Sequence, residues 1–232
     1  MTGMGIEILA AVPAIAEKML AKALVKAAWK KARKEWKEHE RLKRGITVDA
    51  FDRHCFESAS RIAESFLSSG IGDSTTGARL LCGLRSALRD AESEASFNAH
   101  ASLVVAEEIA CTQSEYLRAA VDRLRDELTW QERLVLFCLW PFYERPMTYV
   151  KGDSVLRFLN SQGVAIDSDD MLLILKRLHR LEYIDGFNDS ADLSEAVNLH
   201  GRMGEVFADI ARRGGFDAEE DVVLESQGEA SD

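Results

Sequence analysis

The sequence predicts a mainly α-helical protein with a long amphipathic N-terminal helix, a helical middle region and a C-terminal region that contains a small two- or three-stranded sheet. Three observations lead to this prediction. Residues 14–44 contain neither proline nor glycine and are rich in alanine, lysine, leucine and glutamate, which are strong helix formers. Between residues 46 and 127, apolar residues recur at spacings of three and four, the period of one helix face. After residue 128, helical patterns alternate with short extended segments bounded by turn residues.

The composition excludes several classes of protein. An apolar fraction of 47%, with 3 prolines and 4 cysteines in 232 residues, is typical of a globular chain. Collagenous, low-complexity and disulfide-scaffold proteins have very different compositions. No stretch approaches the roughly 18–20 apolar residues that a bilayer-spanning helix needs, so the sequence does not predict a polytopic membrane protein.

The charge is unevenly distributed along the chain. The net charge of −10 argues against nucleic-acid binding by the protein as a whole. Residues 1–45, however, carry 11 basic and 5 acidic side chains, whereas the remaining 187 residues carry 18 basic and 34 acidic ones. The sequence therefore predicts a basic arm of charge +6 on a body of charge −16.

These patterns predict four segments. They are a basic amphipathic helix over 1–45, a helical domain over 46–127, a C-terminal domain over 128–213 and a disordered tail over 214–232. The last 17 residues contain seven acids and no base, which is typical of a solvated segment.

The N-terminal residues and the cysteines both favour a cytoplasmic location. Glu7 lies inside the first apolar stretch and the lysines follow it, the reverse of a secretory signal. The cysteines at positions 55, 82, 111 and 138 form no CxxC pair and have helical, apolar flanks. We interpret them as buried free thiols.

The basic arm is predicted to be one amphipathic helix. At 100° per residue, eight cations at steps of three or four fall on one stripe, and leucine and alanine fall opposite. Trp29 and Trp36 mark the border between the two faces. The cations of the stripe are Lys18, Lys22, Lys26, Lys30, Arg33, Lys37, Arg41 and Arg44.

Four interpretations of this arm stay open. Its apolar face packs on its own domain, or the helix docks on an acidic or helical protein partner. The tryptophans and lysines also suit a membrane surface, although the alanine-rich face buries little area. Unspecific binding to nucleic-acid phosphates is the fourth interpretation.

The middle region is predicted to form four helices. Thr47 caps the first, and the others run over about 76–93, 97–109 and 114–128. The connecting glycine-rich loop superficially resembles a phosphate loop. However, Gly77 is followed by Ala78 and Arg79 where the motif requires lysine and then serine or threonine, so we interpret it as a helix-to-helix turn.

The C-terminal domain carries the strongest pattern. Thr129 and Glu132 form a capping box before an apolar helix. There follow an extended segment over 147–150, a helix over 155–159, a turn at Gly163 and a helix over 169–181 that begins after Ser168. Two short strands over 183–184 and 197–199 with a polar loop between them, and a last helix over 201–213, complete the order.

This order resembles the winged helix-turn-helix superfamily over about residues 128–213. The resemblance rests on the run from Leu156 and Leu159 through Gly163 to the stretch Ile174–Ile184. It implies a winged helix fold, in which the helix over 169–181 is the recognition helix. Winged helices serve both as DNA readers and as protein-docking modules.

The charges of the recognition helix distinguish a DNA reader from a protein-docking module. In a DNA reader the start and middle of the recognition helix meet base edges, and the matching positions here are Asp169, Asp170, Leu172 and Leu173. Two carboxylates would repel phosphates, so these residues favour a protein partner. A second interpretation is that the leucines pack against the middle helices of the same chain. The cations that would contact nucleic acid in the alternative lie later in the helix and are Lys176, Arg177, His179 and Arg180.

No catalytic signature is present in the sequence. None of the five histidines lies in an HxxxH, HExxH or nucleophile-elbow pattern. We expect no enzyme activity, cofactor, metal or small-molecule substrate. The favoured hypothesis is an adaptor or regulatory subunit of a hetero-complex with protein partners. A winged-helix DNA-binding regulator is the alternative, and a membrane-surface protein held by its N-terminal helix is the third.

Overall fold

The computed structural model describes residues 28, 30–43, 46–70, 74–143, 150–161, 163–188 and 190–214. These residues are mainly helical, with one small three-stranded antiparallel sheet, as the sequence predicts. Internal contacts divide the chain into two units between Asp90 and Ala91. The first part of the basic arm, with Lys18, Lys22, Lys26, Trp29 and Arg44, lies outside the described residues, and so does the acidic tail after residue 214.

The described residues of the N-terminal unit form three helices: α1 over residues 30–43, α2 over Val48–Leu67 and α3 over Ser74–Asp90. Thr47 caps α2, since its hydroxyl accepts a hydrogen bond from the Ala50 amide at 3.4 Å. The core consists of one face of each helix, with α2 contributing Ile62 and Phe66 and α3 contributing Leu80 and Leu84. Helices α2 and α3 approach closely at Gly77. A Cβ atom added there would lie 2.7 Å from Cδ1 of Leu67.

The C-terminal unit is built around α4 (Glu94–Gln113), a helix that is buried on several faces. Helix α5 (Glu115–Glu127) follows α4, and α4 also contacts α6 (Trp130–Tyr143) and the last helix, α9 (Gly201–Gly214). Helices α4 and α5 therefore share a core with the C-terminal elements. The structural division at residues 90 and 91 thus differs from the predicted boundary at residues 127 and 128.

The rest of this unit follows the predicted order of elements. After α6 come β1 (Val150–Lys151), α7 (Gly152–Ser161), α8 (Ser168–Arg180), β2 (Ile184–Asp185) and β3 (Ala196–Leu199). Strand β3 lies in the middle of the sheet and pairs antiparallel with both neighbours, with Val150 opposite Val197 and Ile184 opposite Leu199. The sheet thereby fixes the end of α8 beside the start of α9.

The turn after α7 depends on glycine. Gly163 has φ +74°, and the amide of Val164 donates to the carbonyl of Leu159 at 3.0 Å, which closes a Schellman motif. A Cβ atom added at Gly163 would also lie 2.4 Å from the Cβ of Ala95. This turn therefore needs glycine both for its backbone conformation and for the contact with α4.

Within the described residues, no helix combines the length and the apolar character needed to cross a bilayer.

Candidate functional site

Helix α8 has one exposed face, and it carries three of the four partner-binding residues that the sequence predicts on this helix. The side chain of Asp167 caps the helix by accepting from the Asp170 amide at 2.7 Å, so the cap lies one residue before the predicted Ser168. Met171, Leu175 and Leu178 are buried. The exposed or half-buried residues of the opposite side are Asp169, Asp170, Leu173, Lys176 and Arg177, and we call them the α8 face.

The two predicted partner-binding leucines differ in exposure. Leu173 is 63% exposed, among the largest apolar exposures of the described chain. Leu172 is half-buried and packs against the core of its own unit. The prediction of an exposed pair is therefore wrong for Leu172, because adjacent residues of a helix point about 100° apart and only one of them lies on the α8 face.

A groove of about 270 Å³ lies along one flank of the α8 face. Ile166 and Ile174 contribute apolar surface, while Asp170 and Arg177 supply charge. The far side of the groove comes from the start of α6, including Thr129. The groove is therefore mainly polar, with Leu173 as its exposed apolar residue.

Arg177 is held by an ion pair within the protein. One terminal nitrogen, Nη1, donates to both carboxylate oxygens of Glu132 at 2.5 and 2.6 Å, and Nη2 donates to the carbonyl of Glu127 at 2.7 Å. Glu132 also accepts from the Thr129 amide at 2.7 Å, so the predicted capping box is present. Only 4% of the Glu132 side chain is exposed. Arg177 is thus engaged in positioning α8 against α6, which leaves it poorly suited to the phosphate contact of the alternative prediction.

The other cations of that alternative lie near the end of α8. His179 Nδ1 is 3.3 Å from the carbonyl of Ile184, and Lys176 is half-buried. His179 and Arg180 line a cleft of about 800 Å³ beside the loop between β2 and β3, and Glu182 and Asp185 line it too. The cleft is therefore mixed in charge, unlike a surface that follows a phosphate backbone.

A buried ion-pair cluster joins α4, α5 and α6. Glu107 and Glu108 are each 1% exposed, and Arg125 binds both. Arg133 donates to the second oxygen of Glu107 at 2.8 Å. Burial alone would lower the pKa of Arg125, but the two carboxylates outweigh that effect and raise it. The cluster links three helices of the C-terminal unit through paired charges.

The second candidate surface is the outer side of α1. Lys30, Arg33, Lys34, Lys37 and Arg41 are exposed, and we call them the cationic face. Arg41 pairs with Glu38 at 3.0 Å, whereas within the described residues no ion pair engages the other four. The exposure of Lys30, Arg33, Lys37 and Arg41 is as the sequence predicts.

The inner side of α1 is packed on its own unit. Ala28, Ala32 and Trp36 are at most 1% exposed, and Glu35 binds Arg61 of α2 at 2.8 Å. The prediction that Trp36 lies at the polar border and binds a partner is therefore wrong. Trp36 follows Ala32 by four residues, so the two share one face of the helix, and the alanines allow a close approach that buries the indole.

His39 completes this buried face, and the sequence analysis missed it. Its ring is fully buried, 5.4 Å from the ring of Trp36, 5.1 Å from Phe51 and 5.3 Å from His54, with which it stacks. Its Nδ1 atom is 4.0 Å from the Cys55 sulfur. Burial, aided by His54 and Lys43, lowers the pKa of His39 to about 4. The spacing 28, 32, 36, 39 is the signal that identifies this residue as part of the core.

The four cysteines are free, but only some are buried. Cys55 and Cys111 are buried, and burial raises the pKa of the Cys55 thiol. Cys82 is exposed, so the prediction of buried thiols is wrong at that position. Across the described ranges, no group of three or more histidine, cysteine, aspartate or glutamate side chains is arranged to hold a metal ion.

Comparison of the chain with protein-family models, with curated proteins and with solved structures finds no match.

Proposed function

We propose that this protein is a non-catalytic adaptor or regulatory subunit of a multiprotein complex, and that its C-terminal unit contains a winged-helix module that docks proteins through the α8 face. The observation that carries the proposal is Leu173. This leucine is 63% exposed between charged residues and lines a groove that also contains Ile166 and Ile174. An exposed leucine ringed by polar and charged groups suits a protein contact, since burying it in a complex removes apolar area from water.

The charges of α8 favour a protein over duplex DNA. Asp169 and Asp170 occupy the first turn, where a DNA-reading helix approaches the bases. Arg177, in the second half of the helix, is bound to Glu132. Nucleic-acid binding through Lys176, His179 and Arg180 is therefore the less supported alternative.

The cationic face of α1 is a second contact surface in this proposal. Five cations on the outer side of a helix suit an acidic protein surface, and complementary charge accelerates association. A membrane-anchoring role is disfavoured, because Trp36, one of the two tryptophans on which it depends, lies in the core of the N-terminal unit.

The test compares two exposed residues of the same unit. Leu173→Asp is expected to remove stoichiometric co-purifying proteins from the tagged full-length chain. The matched control is Tyr116→Asp, since Tyr116 is 69% exposed on α5. Circular dichroism verifies that both variants fold. Equal co-purification with the two variants would contradict the proposal.

Binding to duplex DNA is tested in parallel by fluorescence anisotropy at two salt concentrations. We expect no binding that depends on Arg180. Tight binding that weakens steeply with salt and is lost in Arg180→Ala would favour the DNA-binding alternative instead.

A further inference from the structure

The α8 face has a charge pattern that is complementary to itself. Asp169 and Asp170 lie one turn before Leu173, and Lys176 and Arg177 lie one turn after it. At 100° per residue, Asp169 and Lys176 fall on one flank of Leu173, while Asp170 and Arg177 fall on the other. The groove agrees with this placement, since Asp170, Leu173 and Arg177 all line it.

From this pattern we propose that the α8 face binds a second copy of this chain, with the two α8 helices antiparallel about a two-fold axis near Leu173. The inference rests on the proposed function, because it takes the α8 face as a protein-docking surface and names its partner. In a two-fold contact the same patch is used on both subunits, and each residue pair occurs twice.

The antiparallel arrangement brings the charges that flank Leu173 close to opposite ones. Rotation about the axis places Asp169 against Lys176 of the second copy. It also places Asp170 near Arg177 of the second copy, whose charge is already paired with Glu132. The two Leu173 side chains meet at the centre. A parallel arrangement would instead place aspartate against aspartate, and like charges brought together oppose association. The charge pattern therefore favours a second copy of this chain as the partner, with the two α8 helices antiparallel.

The internal contacts of α8 prepare this surface. Glu132 and the Glu127 carbonyl hold the Arg177 guanidinium in place, and 47% of its side chain stays exposed. A side chain that is already ordered loses less conformational freedom when it meets a partner. Asp170 lies in the first turn of α8.

The size of the contact sets its strength. A single helix face buries less than the roughly 800 Å² per partner of a standard interface. We therefore expect a reversible dimer whose population rises with protein concentration. A dimer would present two cationic faces, so that weak contacts of α1 with an acidic partner are multiplied by avidity.

Charge exchange between Asp169 and Lys176 tests the inference, because Asp169 is exposed, Lys176 is half-buried and Arg177 is left intact. Sedimentation equilibrium of the full chain is expected to give a mass that rises above 25.8 kDa with concentration. Asp169→Lys alone and Lys176→Asp alone each place like charges together and should weaken the dimer at least tenfold. The double variant restores opposite charges and should recover it, and so should a mixture of the two single variants.

Leu173→Asp should remain at 25.8 kDa at every concentration, whereas Tyr116→Asp should behave as wild type. A wild-type chain that stays monomeric at its highest attainable concentration would overturn the dimer. Failure of both the double variant and the mixture to recover association would overturn the antiparallel contact. In either case the docking function stands if Leu173→Asp still removes other co-purifying proteins, so the two failures are distinguishable.

Discussion

Arg177 of α8 donates to both carboxylate oxygens of Glu132, a buried residue at the start of α6. The two residues are 45 positions apart in the chain. The same Glu132 closes the capping box of α6, so one carboxylate both starts one helix and positions another. The exposed face of α8 thereby has a fixed orientation.

Removal of Arg177 is expected to destabilise the C-terminal unit. In Arg177→Ala the Glu132 carboxylate stays buried without its cation, and we expect a loss of about 1–3 kcal/mol in the free energy of unfolding. Urea denaturation measures this change. Arg157→Ala is the control, since Arg157 and Asp153 form an exposed pair at 3.4 Å that contributes at most about 0.5 kcal/mol. Equal losses in the two variants would show that Glu132 does not depend on Arg177.

The pKa of His39 predicts an acid-sensitive N-terminal unit. The pKa in the folded protein is about 4, below the ordinary value of 6.5, so the unfolded chain binds more protons between these two pH values. The full contribution of neutral His39 to the free energy of unfolding is present above pH 6.5. Up to about 3 kcal/mol of it is lost as the pH falls toward 4. Hydrogen exchange of α1 and α2 measured from pH 7 to pH 4, corrected for intrinsic rates, follows this loss.

His39→Phe tests the role of His39 in this acid sensitivity, and His200→Phe is the control. His39→Phe removes the buried titrating group and should flatten the pH dependence of α1 and α2 in this window. His200 is exposed and lies in the other unit, so its replacement should leave that dependence unchanged. An unchanged pH dependence in His39→Phe would assign the acid sensitivity to another group.

Trp36→Ala is expected to unfold or strongly destabilise the N-terminal unit. The indole is 1% exposed, and truncation of a buried aromatic side chain costs about 3–5 kcal/mol. Lys37→Ala, one residue later on the cationic face, should change the free energy of unfolding by less than about 0.5 kcal/mol. Thermal unfolding of the two variants makes the comparison, and a small loss in Trp36→Ala would place the indole outside the core.

The end of α8 carries a left-handed residue that is not glycine. Glu182 has φ 61°, and the Tyr183 amide donates to the Leu178 carbonyl at 2.9 Å in the same Schellman geometry as at Gly163. Glu182→Gly relieves a conformation that costs roughly 1–2 kcal/mol, partly offset by a more flexible unfolded chain, so we expect a net gain of about 0.5–1 kcal/mol. Gly163→Ala should destabilise the protein. Urea midpoints that shift in the same direction in Glu182→Gly and Gly163→Ala would contradict the expectation that the first stabilises the protein and the second destabilises it.

The sequence predicts local features of this fold well and long-range features poorly. Thr47 as a cap and Thr129 with Glu132 as a capping box depend on neighbours in the chain, and all are present. The packing of α4 with the C-terminal elements was not predicted. Arg133 pairs with the buried carboxylate of Glu107 and lies 26 residues away in the chain. Helical spacing does not predict a contact between residues so far apart.

The candidate surfaces were predicted in the same uneven way. Helical spacing placed Arg33 and Lys37 on an exposed side of α1. It assigned Trp36 to the border, because the burial of this face of α1 was not visible in the pattern. On α8, the spacing alone does not distinguish Leu172 from Leu173, since which leucine faces solvent depends on how the helix packs on its own unit.

Site-specific photo-crosslinking from position 173 tests the central claim most directly. A photoreactive amino acid replaces Leu173 in the full chain expressed in its host, and the control chain carries it at Tyr116 instead. We expect a discrete covalent protein adduct from position 173 and none from position 116, with a second copy of the chain among the crosslinked products. The same weak, diffuse labelling from both positions would contradict the claim that the α8 face is a protein-docking surface.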